Sequence, residues 1–231
     1  MRVKICGITN LEDALIAADL GADALGFIFA KGSPRKITTD KAMNIIDKLP
    51  PFIVSVGVFV DSPIEEILSI IEQTGIQCVQ LHGNESPSEY SKINIPVIKA
   101  FRVDDNFRTD TLLRFPATAY LLDTFVKGRA GGTGKTFDWN IAAAAKAYGK
   151  IILAGGLTPE NICDAIKKVE PYGVDISSGT ESAPGKKDKR KLQQLFAAIH
   201  LVRMKQPDLE EKGMHNQEQI VQSNIPEKGN E

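Results

Sequence analysis

The 231-residue sequence predicts a (β/α)8 barrel, and three observations support this fold class. Eight short runs of β-branched and aliphatic residues recur along residues 1–203, and segments with helical periodicity separate them. Several runs are continuously apolar, as expected of parallel strands that are buried on both faces. Eight alternations of strand and helix in about 200 residues match a compact barrel. A doubly wound sheet of five or six strands, the alternative, would leave two or three runs unexplained.

The predicted strands are the eight apolar runs, taken in chain order. They are Val3–Cys6, Ala24–Phe29, Ile53–Val60, Cys78–Leu81, Val97–Phe101, Ala119–Asp123, Ile151–Ala154 and Gly173–Ile176.

The predicted helices follow from apolar stripes and end signals. Leu11, Ala14 and Leu15 fall on one helical face after a capping Asn10. Ser62 before Pro63 predicts a helix start with the proline in the first helical position. The predicted helices are Asn10–Leu20, Thr39–Lys48, Ser62–Gln73, Ser86–Lys92, Asp104–Arg114, Asp138–Ala147, Thr158–Lys168 and Asp188–Arg203.

The composition excludes several classes of protein. With 28 Lys and Arg against 29 Asp and Glu, the net charge is -1, so nothing favours nucleic acid or a membrane surface as partner. The three cysteines, Cys6, Cys78 and Cys163, form no CxxC pair, which argues against disulfides and a zinc site. There is neither a long apolar stretch nor a signal-peptide pattern, so we expect a cytoplasmic protein.

The chain divides into a barrel and an appendix. Residues 1–203 carry every predicted strand and helix, and we expect them to form one catalytic domain. Residues 204–231 contain no aromatic residue and are rich in Asn, Gln, Glu and Lys, which is typical of a solvated tail or a short peripheral helix.

Chemistry-bearing residues follow the carboxyl ends of the predicted strands, where barrels of this kind place their sites. They are Cys6 after the first strand, Lys31, Ser33, Pro34 and Arg35 after the second, His82 after the fourth and Asp123 at the end of the sixth. Gly155 and Gly156 follow the seventh strand, and Ser177, Ser178 and Gly179 follow the eighth. We therefore expect these groups to meet on one face.

The two turns of small residues predict a phosphate site. Gly155–Gly156 allows the backbone to approach a ligand closely, and Ser178–Gly179 offers amides and a hydroxyl in the next loop. In barrels, the turns after strands seven and eight commonly bind phosphate through backbone N–H groups. The alternative is that the glycines only form tight turns.

Residues Arg129–Thr136 are similar to the nucleotide-binding P-loop but do not match its full pattern. The P-loop requires a glycine at the position that Arg129 occupies, and the segment begins several residues after its strand. Its many glycines instead predict a flexible loop over the active face.

Cys6 and Asp123 both end predicted strands on the same face, so the pair looks like a general acid and a general base. A lone cysteine is usually a small buried hydrophobe, as we expect for Cys78 and Cys163. A carboxylate that ends an apolar strand is costly unless it is paired or used. His82 is either a third titrating group or a structural imidazole, while His200 and His215 are expected at the surface.

The sequence resembles the phosphoribosylanthranilate isomerase family from Arg2 to about Val202. The matching motifs are Lys4–Thr9, Gly21–Phe27, Ser33–Arg35, Val56–Phe59, Val79–Gly83, Gly131–Trp139, Leu153–Leu157, Val174–Glu181 and Pro184–Asp188. The resemblance implies an Amadori rearrangement of N-(5-phosphoribosyl)anthranilate in tryptophan biosynthesis, without metal or organic cofactor. It implies that Asp123 is the acid and Cys6 the base.

Further expectations combine this resemblance with the chemistry of the residues. The Cys6 thiol must ionise, so its pKa should lie below about 8.5. Arg35 is expected to bind the anthranilate carboxylate, since a guanidinium fork matches a planar carboxylate. Gly155, Gly156, Ser178 and Gly179 are expected to bind phosphate, with Asp175 organising the site.

Other functions and the oligomeric state remain open at this point. The related phosphosugar isomerase of histidine biosynthesis uses two aspartates in its family, whereas the first strand here ends in Cys6. A non-catalytic barrel that binds a phosphate ligand is the other alternative. The chain could be a monomer or a homodimer.

Overall fold

A computed structural model describes residues 1–104, 106–124 and 137–204. The strands are β1 Arg2–Cys6, β2 Ala24–Ile28, β3 Val54–Phe59, β4 Cys78–Leu81, β5 Val97–Val103, β6 Ala119–Thr124, β7 Ile151–Leu153, β8 Gly173–Ile176, β9 Glu181–Ala183 and β10 Lys186–Lys187. The α-helices are α1 Leu11–Asp19, α2 Thr39–Ile46, α3 Ile64–Thr74, α4 Pro87–Tyr90, α5 Trp139–Ala145, α6 Ile162–Val169 and α7 Lys189–Met204.

Strands β1 to β8 form a closed barrel in sequence order, and every neighbouring pair is parallel. The ring closes where β1 pairs with β8 on one side and with β2 on the other. The predicted (β/α)8 barrel is thus confirmed, and the doubly wound alternative is wrong. All eight predicted strands are present, with ends that differ by at most two residues.

The barrel has two apolar cores because side chains alternate between the two faces of each strand. The smaller core fills the barrel interior and comprises Val56, Cys78, Ile98, Ala100, Ala119, Leu121, Ile152 and Ala154. The larger core lies between the outer faces of the strands and the surrounding helices, and includes Phe27, Leu122 and Leu153. The prediction that Cys78 is a buried apolar residue is confirmed, while Cys163 is half-buried.

Several helix ends differ from the sequence-based expectation. Pro63 has extended backbone and precedes α3, so the helix begins one residue later than expected. Helix α6 begins at Ile162 rather than near Thr158. The backbone N–H of Thr158 donates to the side chain of Asn161, and Asn161 Nδ2 donates to the carbonyl of Gly156, so these residues form a turn.

Two predicted helical segments contain 3₁₀ helix. In the described part of the segment Asp104–Arg114, a 3₁₀ helix spans Thr109–Arg114. After α5, residues Lys146–Tyr148 form a separate 3₁₀ turn, which ends at Gly149 with a φ of 151° that ordinary side chains avoid.

A short antiparallel hairpin of β9 and β10 was not expected from the sequence. It turns at Gly185, whose φ is 77°. The backbone N–H of Lys187 donates to Asp13 Oδ2 in α1, and Lys187 Nζ donates to the carbonyl of Cys6 at 2.7 Å. These two hydrogen bonds hold the hairpin across the carboxyl end of β1.

Helix α7 ends the described part of the chain at Met204, one residue past the expected barrel boundary. The tail predicted for residues 204–231 otherwise lies outside the described residues. No helix within residues 1–104, 106–124 and 137–204 is long and apolar enough to cross a membrane.

Candidate active site

A cavity of about 540 Å³ opens at the carboxyl end of the barrel strands. The sequence analysis predicted nine site residues, and all nine line this cavity: Cys6, Arg35, His82, Asp123, Gly155, Gly156, Asp175, Ser178 and Gly179. The barrel therefore brings together groups from six different strand ends and loops, as expected for this fold.

Cys6 lies at the cavity floor and is almost fully buried, with 5% of its surface exposed. It is the last residue of β1, and Gly7 turns the chain away with a φ of 82°. The neighbouring strand has Gly26 beside it, and a Cβ there would lie only 2.7 Å from the Cys6 sulfur. The absence of a side chain at Gly26 is what gives the thiol its room.

The pKa of Cys6 does not follow the sequence-based expectation. Burial raises the pKa of the thiol above its ordinary value, because the thiolate loses hydration, and the Asp175 carboxylate adds to this effect. The cations Lys4 and Lys187 act in the opposite direction without cancelling the effect of burial. The predicted lowering is therefore wrong, although the thiol has the cationic neighbour that the prediction named, Lys4.

Asp123 faces the cavity from the end of β6 and is held by two neighbours. Its Oδ1 accepts a hydrogen bond from the backbone N–H of Thr124 at 2.8 Å. Its Oδ2 lies 3.5 Å from Nε2 of His82. His82 Nδ1 in turn lies 3.1 Å from Nε2 of the buried Gln80. His82 thus lies between Gln80 and Asp123 at the cavity.

Positive φ values and close packing explain why the two small-residue turns need glycine. Gly155 and Gly156 have φ values of 84° and 64°, a region that side chains disfavour. A Cβ on Gly155 would overlap Thr124, and one on Gly179 would overlap the carbonyl oxygen of Leu157. Ser178–Thr180 forms a short 3₁₀ helix beside these turns. The backbone thus approaches the cavity closely from both loops.

Arg35 lies at the cavity wall in a paired arrangement that the sequence did not reveal. Its Nε and Nη2 lie 2.8 Å and 2.7 Å from the two carboxylate oxygens of Glu181, which is a bidentate fork. Glu181 is buried and also lies 3.3 Å from Lys187 Nζ. Glu181, which lies in the hairpin, therefore holds the guanidinium of Arg35 in one orientation at the cavity wall.

Sequence reasoning missed five polar residues of this region: Lys4, Gln80, Arg102, Glu181 and Lys187. Gln80 and Arg102 line the cavity, and the other three contact lining residues. Lys4 carried a usable signal, because a lysine inside an apolar strand two residues before Cys6 must share its face. The flexible loop predicted for Arg129–Thr136 lies outside the described residues.

The chain is similar to known proteins of one family. Residues 3–198 match the family model of N-(5'phosphoribosyl)anthranilate (PRA) isomerase. The chain belongs to the phosphoribosylanthranilate isomerase family. A relative from Pelobacter propionicus, named N-(5'-phosphoribosyl)anthranilate isomerase, is 52% identical over 196 residues, which is 85% of this chain and 94% of the relative.

Solved structures of the phosphoribosylanthranilate isomerase family share the fold. The Thermus thermophilus enzyme is 44% identical, superimposes with a TM-score of 0.81, and covers 87% of this chain and 100% of its own. A second family structure holds reduced 1-(o-carboxyphenylamino)-1-deoxyribulose 5-phosphate. It is 40% identical, has a TM-score of 0.77, and covers 87% of this chain and 98% of its own.

Proposed function

We propose that the protein is a phosphoribosylanthranilate isomerase of tryptophan biosynthesis. It converts N-(5-phosphoribosyl)anthranilate to 1-(2-carboxyphenylamino)-1-deoxyribulose 5-phosphate by general acid and base catalysis. The observation that carries the proposal is a single cavity lined by Cys6, Asp123 and two close-packed glycine turns, in a chain of this family.

Asp123 is the general acid of the first step. Its carboxyl group donates a proton to the ring oxygen of the sugar as the C1–O bond breaks, and the anthranilate nitrogen forms a C=N bond to C1. His82 lies beside the carboxyl group and holds it at the cavity floor, where solvent is largely excluded.

Cys6 is the general base of the second step. Its thiolate removes the proton from C2, the C–H electrons form a C1=C2 bond, and the C=N electrons return to nitrogen. The resulting enolamine then loses its hydroxyl proton and gains a proton at C1, which gives the ketone. The anthranilate nitrogen is the electron sink, so the acid and the base suffice.

Substrate binding is assigned to the two ends of the cavity. The backbone N–H groups of Gly155, Gly156 and Gly179, with the Ser178 hydroxyl, bind the phosphate. Arg35 binds the anthranilate carboxylate, and Asp175 organises the floor between them through its pair with Lys4. A sulfate found in crystals anywhere except between the two turns would contradict the phosphate assignment.

The acid and base assignments are tested by Cys6→Ala and Asp123→Asn. Each variant should lower turnover of freshly prepared phosphoribosylanthranilate by at least about 100-fold, the lower range for a positioned acid or base. Loss of substrate fluorescence measures the reaction. A variant that keeps nearly normal kcat would remove its residue from the mechanism.

Arg35→Met tests carboxylate binding separately from chemistry. We expect a raised KM with a smaller change in kcat, because the guanidinium contacts a part of the substrate that does not react. An unchanged KM would refute the role.

Genetic complementation separates the proposed function from the two alternatives. Rescue of a strain that lacks the tryptophan-pathway isomerase supports the proposal, while rescue of only the histidine-pathway strain would replace it. Purified protein that binds the substrate without isomerising it would favour a non-catalytic barrel.

A further inference from the structure

Lys4 is a buried cation to which the proposed mechanism gives no direct role. It lies in β1 on the same face as Cys6, and only 5% of its surface is exposed. Its Nζ donates to Asp175 Oδ1 in the adjacent strand β8 at 2.9 Å. A buried ion pair of this kind is weak evidence for stability, so its position invites another explanation.

The ammonium of Lys4 and the sulfur of Cys6 converge on one point inside the barrel. A Cβ on Gly26 in β2 would lie 2.7 Å from the Cys6 sulfur and 3.1 Å from Lys4 Nζ. The two atoms therefore lie within about 6 Å of each other, a range at which a cation favours a neighbouring anion.

The other charged groups near Cys6 are already committed to different partners. Lys187 Nζ donates to the carbonyls of Cys6 and Ser177 and pairs with Glu181. Arg35 forms a bidentate ion pair with Glu181, and the negative charge of Asp175 disfavours the thiolate form of Cys6. Lys4 is also paired, with Asp175, but its Nζ lies beside the Cys6 sulfur next to Gly26, whereas Lys187 Nζ contacts the backbone carbonyl of Cys6.

The ionisation of Lys4 suits such a role. Burial by itself would lower the pKa of Lys4, but the Asp175 carboxylate, with a further contribution from Cys6, holds it above the ordinary value. The Asp175 carboxylate beside it thus favours the protonated ammonium of Lys4.

We propose that Lys4 is a positioning residue whose ammonium stabilises the Cys6 thiolate during proton removal from the sugar. This inference rests on the proposed function, because it concerns the base of that reaction. The thiol first loses its proton to solvent. The thiolate then takes the C2 proton, and Lys4 transfers no proton at any step.

The direct test measures how fast iodoacetamide alkylates Cys6 as a function of pH, with the Cys6 peptide quantified by mass spectrometry. In Lys4→Met the alkylation midpoint should rise by at least about one pH unit, which corresponds to about 10-fold less thiolate near neutral pH. This readout requires no isomerase activity.

Lys99→Met is the matched control. Lys99 is also a buried strand lysine, with 2% of its surface exposed, and its Nζ lies 2.7 Å from Glu85 Oε2. Its ion pair stands on the outer side of β5, away from Cys6. This variant loses a buried cation in the same way, and the Cys6 midpoint should not change.

The steady-state kinetics supply a second readout. The acidic limb of kcat/KM against pH should move upward in Lys4→Met, and activity should recover at high pH. A merely structural loss would lower the rate equally at all pH values and would overturn the proposal.

The double variant Lys4→Met/Asp175→Asn covers a failure of the single variant to fold, because it removes both charges of the pair. Its alkylation midpoint should lie above that of the single variant Asp175→Asn, by about half a unit or more. If these two midpoints agree, the ammonium of Lys4 does not stabilise the thiolate and the inference is wrong. If Cys6→Ala instead retains turnover, the proposed function of Cys6 fails while the alkylation result still stands.

Discussion

Replacing Glu181 by glutamine should weaken the fold markedly, because its carboxylate joins two cations at the mouth of the barrel. Glu181 is 6% exposed and forms the fork with Arg35 in addition to its contact with Lys187. Its Oε1 also accepts the backbone N–H of Gly185 in the hairpin turn. The change keeps the size of the side chain and removes only its charge.

The magnitude follows from the burial of the three partners. The side chains of Arg35 and Lys187 are 13% and 1% exposed, so both cations would stay largely dehydrated without a counter-charge. Breaking a buried pair in this way costs about 3–5 kcal/mol, and the amide retains some hydrogen bonding, so we expect about 3 kcal/mol. For a domain of this length, that corresponds to a fall of roughly 6–12 °C in Tm.

Thermal and urea unfolding followed by circular dichroism measure this loss. Asp110→Asn is the control, because the Arg108–Asp110 pair has a similar distance of 3.0 Å but side chains that are 79% and 50% exposed. This surface pair should contribute nothing measurable. A fall in Tm of less than about 2 °C in Glu181→Gln would refute the claim that this carboxylate anchors the hairpin.

Three further predictions concern pH, the phosphate turn and the core. Burial alone would raise the pKa of Glu181, but hydrogen bonds and charge from Arg35 and Lys187 hold it below its usual 4.5. The stabilisation that the Glu181 carboxylate gives the fold is therefore complete above about pH 4.5, and it is lost as the pH falls through the lower pKa of the folded state. Over that window, the urea midpoint of Glu181→Gln should change less with pH than the urea midpoint of the wild type. Gly179→Ala should raise the KM by at least about 10-fold, since its Cβ would overlap the fixed carbonyl of Leu157; an unchanged KM would contradict this packing. Leu153→Ala should lower the free energy of unfolding by about 2–5 kcal/mol in urea titrations, because Leu153 is fully buried. A loss below about 1 kcal/mol would show that neighbouring side chains fill the space left by Leu153.

The barrel could be predicted because its signals are local. Each strand is a short apolar run and each helix a periodic stripe, and both patterns depend on residues close together in sequence. The helix ends were less predictable, because they depend on which side chain reaches a backbone group. Asn161, for example, closes a turn around Gly156 and delays the start of α6.

The candidate site could also be predicted in part, since the fold itself dictates where strand ends meet. That rule alone places Cys6, Asp123 and the glycine turns on one face of the barrel. It could not foresee which charges pair, because an ion pair depends on the register of distant strands.

Residue types and their spacing in the sequence thus determined the barrel and which side chains and glycine turns meet at its carboxyl end. Only the tertiary structure decided how these groups are held. Lys4 meets Asp175 across 171 residues, and Arg35 meets Glu181 across 146. Such contacts arise when the ring closes between β1 and β8 and the hairpin folds over it, and burial at that closure makes each charge depend on its partner.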